Sequence, residues 1–90
     1  MKRYDIAQED KNVVRFRGLR VLYHFDCYRI NAPEEILELG WEAIIKKRGN
    51  LVVVEWAEII KEIFPQEAVW IELIARGENE RELGVRTQRP

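Results

Sequence analysis

From Leu19 to Asp26 apolar and polar positions alternate. Leu19, Val21, Tyr23 and Phe25 fall on one side, and Arg20, Leu22, His24 and Asp26 on the other. A period of two predicts a strand and places His24 and Asp26 on the same face. The run Leu51-Val52-Val53-Val54 is apolar throughout and ends in Glu55-Trp56. An unbroken, mostly β-branched run of this length predicts a central strand buried on both faces.

Between these two strands lies a helical stretch. Asn31-Ala32-Pro33-Glu34-Glu35 reads as a helix start, with Asn31 able to cap, Pro33 suited to a first turn and two acids at the positive end of the dipole. Ile36, Leu37 and Leu39 supply the apolar side of this helix, and Gly40 is placed to end it. Trp41 to Lys47 resumes as a second short helix, closed by the cations of Lys46-Lys47-Arg48. Strand, crossover and strand predict parallel neighbours joined right-handedly, with Asp26 and Glu55 on one carboxyl-terminal edge. In open α/β sheets that edge is where ligands bind.

The flanks are plainer. Met1 to Ile6 has weak strand character, Ala7 to Asn12 reads as a polar loop or hairpin tip, and Val13 to Arg17 as a further extended segment punctuated by Gly18. Ala57 to Phe64 predicts a short helix stopped by Pro65. Ala68 to Ala75 and Glu80 to Thr87 predict a hairpin around Arg76-Gly77-Glu78-Asn79, followed by a frayed tail. No repeat or linker interrupts residues 1–90, which read as one domain of the α/β class.

Composition narrows the function classes. A net charge of −1 leaves no bulk electrostatic case for nucleic-acid binding. A single cysteine excludes an internal disulfide and points to a reducing, cytoplasmic setting. With one histidine beside it, zinc would need borrowed ligands. No apolar run reaches the ~20 residues of a membrane span.

Four apolar residues closed by an acid form a Walker-B pattern, in which a buried strand delivers a carboxylate that orders water around Mg²⁺ on nucleotide phosphates. The bland alternatives stand beside it. Glu55 could be a turn residue, Asp26 could cap the next turn or pair with Arg29, and His24 could be a structural histidine. Trp41, Trp56 and Trp70 could simply pack. A metal nuclease would use Asp26 and Glu55 as ligands, but such sites usually add a lysine two residues past the second acid, where this chain has Ala57.

The wording of the blocks is more specific than any one pattern. Tyr23-His24-Phe25-Asp26-Cys27-Tyr28-Arg29, Pro33-Glu34-Glu35, Leu39-Gly40, Val53-Val54-Glu55-Trp56 and Phe64-Pro65 occur in one order with tight spacing. Over roughly Leu19 to Val85 this resembles the family of the tRNA threonylcarbamoyladenosine biosynthesis protein TsaE, a small bacterial P-loop ATPase. Cys27 stands where a leucine is common in that family, and Ala57 where a proline is.

The resemblance implies a partial P-loop NTPase-like sheet with parallel core strands, short crossover helices and a C-terminal β-hairpin. It implies ATP and Mg²⁺ as cofactors, with Glu55 as the metal-side acid and Asp26 beside the γ-phosphate or its water. His24 would orient Asp26, Trp56 would contact nucleotide or a neighbouring loop, and Arg81 loosely matches an arginine near the nucleotide. It further implies TsaB and TsaD as partners, whose threonylcarbamoyl transfer to tRNA the ATP hydrolysis supports. Contact with tRNA would be only indirect.

One feature of the family is absent from these residues. None of Gly18, Gly40, Gly49, Gly77 and Gly84 is followed by lysine, so the chain holds no Gly-Lys-Thr phosphate loop. It reads as the C-terminal part of such a protein, not competent for ATP alone and prone to self-association through uncovered apolar surface. The competing reading is a non-catalytic interaction domain that keeps partner surfaces without the nucleotide loop.

Overall fold

The computed structural model describes residues 1–6 and 18–89. The loop expected over Ala7 to Asn12 and the extended segment expected over Val13 to Arg17 lie outside the described residues. Two compact units follow one another along the chain, Met1–Ile60 and Lys61–Pro90.

The first unit is built on a three-stranded sheet in the order β1 (Lys2–Asp5), β2 (Val21–Asp26), β3 (Asn50–Glu55). β1 runs antiparallel to β2, pairing Lys2 with His24 and Asp5 with Val21. β2 and β3 run parallel from Val21 opposite Asn50 to Asp26 opposite Glu55. The crossover between them carries the helices α1 (Glu34–Leu37) and α2 (Trp41–Lys46), as the pattern requires.

The strand faces differ in kind. Tyr23 and Phe25 alternate onto the face that the crossover covers, where the Phe25 ring meets Trp41 edge-on at 5.4 Å and 78°. Phe25, Cys27, Ile36, Trp41 and Ile60 make up the buried apolar core. Asn50 ties β3 to the crossover by donating its side-chain amide to the Ile44 carbonyl at 3.0 Å.

The other face explains a correction. Val53 is 45% exposed, so β3 is not buried on both faces. Among the described residues β3 pairs only with β2, which makes it an edge strand of the sheet and not a central one. An apolar run alone does not say how many of its sides are covered.

Two details of the crossover also differ from expectation. Leu37 and Leu39 are exposed, and Ile36 alone carries the burial of α1. Asn31 does not cap this helix. The N-cap position falls at Pro33 with no side-chain bond, while the Glu35 carboxylate turns back to accept the Asn31 and Ala32 N–H groups at 2.7 and 3.0 Å. Gly40 does occupy the left-handed region between the helices, at φ 89°. The helix expected after β3 is a 3-10 helix, Ala57–Ile63, ending before Pro65.

The second unit is a hairpin of β4 (Trp70–Ala75) and β5 (Arg81–Arg86), paired antiparallel from Trp70 opposite Arg86 to Ala75 opposite Arg81. Ion pairs link Arg76 to Glu82 at 2.7 Å and Arg86 to Glu72 at 3.6 Å. The Phe64 and Trp70 rings meet at 4.7 Å. No helix among the described residues is long and apolar enough to cross a membrane.

An edge strand with an exposed valine is a surface that another chain can extend. Light scattering is expected to show the mean mass rising with protein concentration, and Val53→Lys is expected to suppress the rise. A monomer mass across the whole range would refute this.

Candidate functional site

The carboxyl-terminal edge of the parallel pair brings Asp26, His24 and Glu55 together. Asp26 and Glu55 close their strands as register partners. Adjacent strands lie about 4.8 Å apart, so the two acids leave the sheet side by side. Both are exposed, with 58% of the Glu55 side chain accessible.

His24 is register partner to Val53 and sits on the same face as Glu55. Its Nε2 lies 3.1 Å from Glu55 Oε1. A carboxylate can only accept, so with Glu55 ionised this bond needs the hydrogen on Nε2. The imidazole therefore reaches diagonally across to the neighbouring strand, and its observed partner is Glu55 where Asp26 was expected. Asp26 turns to its own backbone: Oδ1 accepts the Tyr28 N–H at 3.0 Å, an Asx-type turn that closes the strand. This is the turn-capping alternative for Asp26, and it leaves Oδ2 for other work.

The two strand ends are tied once more by the backbone. The Cys27 N–H donates to the Glu55 carbonyl at 3.0 Å, prolonging the ladder by one bond. The Cys27 side chain points into the core, 3% exposed. Burial, and secondarily the charge of Asp26, push its thiol pKa up, which makes it a packing group and not a nucleophile.

Trp56 follows Glu55 in the left-handed region at φ 56°, as the one non-glycine residue with positive φ among those described. That conformation costs a residue with a Cβ roughly 1–2 kcal/mol. The Trp56 ring is 63% exposed and meets the equally exposed Tyr28 ring at 5.1 Å, tilted by 56°. An aromatic pair contributes about 0.5–1.5 kcal/mol, enough to offset much of the strain.

The remaining tryptophans are packing groups, Trp41 in the core and Trp70 against Phe64. Arg81 opens β5 in the second unit, where its Nη1 donates to the Glu80 carbonyl at 2.9 Å. Sequence reasoning assigns no role to Tyr28, which stands within the block Tyr23 to Arg29. Its signal is its position, an aromatic two residues past the first acid, near the tryptophan that follows the second. Among the described residues no group of three or more His, Cys, Asp and Glu side chains is arranged to hold a metal by itself.

Comparisons with known proteins identify a family. Residues 4–83 match the family model described as threonylcarbamoyl adenosine biosynthesis protein TsaE. The chain is similar to the tRNA threonylcarbamoyladenosine biosynthesis protein TsaE of Rickettsia felis, at 43% identity over 60 residues, covering 67% of this chain and 34% of the relative. The Bacillus subtilis protein of the same name is 38% identical over 66 residues, covering 73% and 40%. That of Treponema pallidum is 30% identical over 70 residues, covering 78% and 51%. No solved structure matches the chain. It thus spans about a third to a half of the length of these curated relatives. With the family model matching from Tyr4 through β4 and into β5, over most of its length, the chain belongs to the TsaE family.

Proposed function

We propose that this segment supplies the metal side of an ATP-hydrolysing site that serves the formation of threonylcarbamoyladenosine on tRNA. The observation that carries the reading is the register pairing of Asp26 with Glu55 on one edge of a parallel sheet, with His24 held against Glu55.

The donor set suits Mg²⁺. This ion takes oxygen ligands and is usually bound through one or two carboxylates, the rest of its shell being phosphate oxygens and water. Two neighbouring acids are therefore sufficient protein ligands where three would be needed for a self-contained site. Glu55 would hold the ion, directly or through its water. Asp26 would use its free Oδ2 to orient the attacking water beside the γ-phosphate. His24, by donating to Oε1, would fix one oxygen of Glu55 and leave Oε2 available to the ion. When bound, Mg²⁺ neutralises charge that develops on the phosphate oxygens. The phosphate cradle itself is not among these residues, since no glycine here precedes a lysine.

Trp56, which adjoins Glu55 in the chain, and Arg81 are proposed as contacts to nucleotide. TsaB and TsaD are the proposed partners, with tRNA reached through them, in the cytoplasm.

Mg²⁺-dependent ATP turnover by a full-length protein containing this segment tests the reading, and absence of turnover in the presence of its partners would refute it. The 90-residue chain alone lacks the loop amides and lysine that supply most phosphate contacts. In isothermal titration with Mg-ATP it is expected to bind more weakly than about 1 mM, a standard binding free energy smaller than ~4 kcal/mol. Micromolar binding would show that phosphates are held by groups other than the loop.

A further inference from the structure

The strained turn at Trp56 has a specific consequence for Glu55. β3 ends at Glu55 and the 3-10 helix begins at Ala57, so a single residue carries the whole change of direction. Trp56 does this in the left-handed region at φ 56°. An extended Trp56 would prolong β3 past the level of Asp26 and carry the chain on along the edge. The left-handed turn is what leaves Glu55 as the last strand residue, opposite Asp26 and in reach of His24.

A tryptophan does not hold this conformation unaided. The group that meets it is Tyr28, and Tyr28 is itself fixed from both sides. Its N–H is bound by Asp26 Oδ1 at 3.0 Å. The residue before it, Cys27, is bound to the Glu55 carbonyl at 3.0 Å. The Tyr28 ring therefore projects from backbone that is anchored to both acids, and its contact with the Trp56 ring at 5.1 Å restrains the turn beyond Glu55. Neither ring serves the core, since both are more than three-fifths exposed.

We infer that Tyr28 is a positioning residue for Glu55, acting through its ring contact with Trp56 to hold the left-handed turn that sets the carboxylate on the shared edge. This rests on the reading of Glu55 as the metal-side acid only for its functional meaning. The clamp is a property of the chain as it stands and needs no nucleotide to be observed.

The test is NMR of the 90-residue chain. In Tyr28→Ala the Trp56 amide-to-α coupling is expected to move to the value of an extended residue. The cross-peak between the His24 ring and the Glu55 side chain is expected to be lost. Exchange of the Cys27 amide is expected to quicken about tenfold while Val54 stays protected, marking a local opening. Tyr28→Phe keeps the ring and is expected to keep all three signals. Adding Trp56→Gly to Tyr28→Ala supplies a residue that occupies the left-handed region freely, and is expected to restore the slow Cys27 exchange. A purely structural loss at position 28 would not be repaired by removing a second ring. Unchanged coupling and exchange in Tyr28→Ala, or no recovery in the double variant, would overturn the inference. Failure here leaves the role of Glu55 in turnover intact, and failure of the turnover test leaves the clamp intact.

Discussion

Glu55→Gln, in a full-length protein containing this segment, is expected to lower ATP turnover by tenfold or more, a loss of about 1.4 kcal/mol of transition-state stabilisation or greater. Asp26→Asn is expected to do the same. Both substitutions keep shape and remove charge. The structure shows why the fold should tolerate them. The carbonyl oxygen of a glutamine at position 55 can still accept from His24 Nε2, and that of an asparagine at position 26 can still accept the Tyr28 N–H. What each loses is the negative charge that would hold or polarise ligands around Mg²⁺. Both side chains are exposed, so neither variant leaves a buried polar group unpaired. Steady-state turnover at saturating Mg-ATP measures the effect, with circular dichroism confirming the fold. Folded variants that turn over ATP at the unmodified rate would remove both acids from the mechanism.

Much of this edge was legible in the sequence because period and order are local signals. The alternation from Leu19 to Asp26 gave β2 and its faces, and a crossover of helical character gave the parallel pairing with β3. The hairpin was legible from two extended runs flanking Arg76-Gly77-Glu78-Asn79, and its register adds Ala75 opposite Arg81. The misses are of another kind. Exposure of Val53 depends on what lies over a face, which the residues of the strand do not encode. The His24 contact with Glu55 joins residues 31 apart in the chain and follows only from the pairing register. The helix start expected to be capped by Asn31 has no side-chain cap, and Glu35 instead reaches back to the N–H groups of Asn31 and Ala32 ahead of the helix. The left-handed Trp56 had no sequence signal, since such positions are announced by glycine or asparagine and a tryptophan hides them.

Stability should be concentrated on one ring. Trp41 is 1% exposed, the largest fully buried side chain, and its edge-on contact joins the crossover to Phe25 of β2. Replacing a buried aromatic with alanine costs about 3–5 kcal/mol through lost transfer energy and the cavity left behind. At about 0.05–0.15 kcal/mol per residue, a unit of this size has only roughly 3–9 kcal/mol to lose. Trp41→Ala is therefore expected to remove roughly a third or more of the first unit's stability, read as a lower urea midpoint in far-ultraviolet circular dichroism. Trp56→Ala removes an identical side chain from an exposed place and is expected to cost about 1 kcal/mol, the size of one aromatic contact. The contrast matters more than either value, because it separates burial from ring chemistry. If Trp41→Ala shifted the transition no further than Trp56→Ala, the Phe25–Trp41 contact would not be the centre of this core. The packing that sets β2 beneath the crossover, and so aims Asp26 and Glu55, would then have to come from elsewhere.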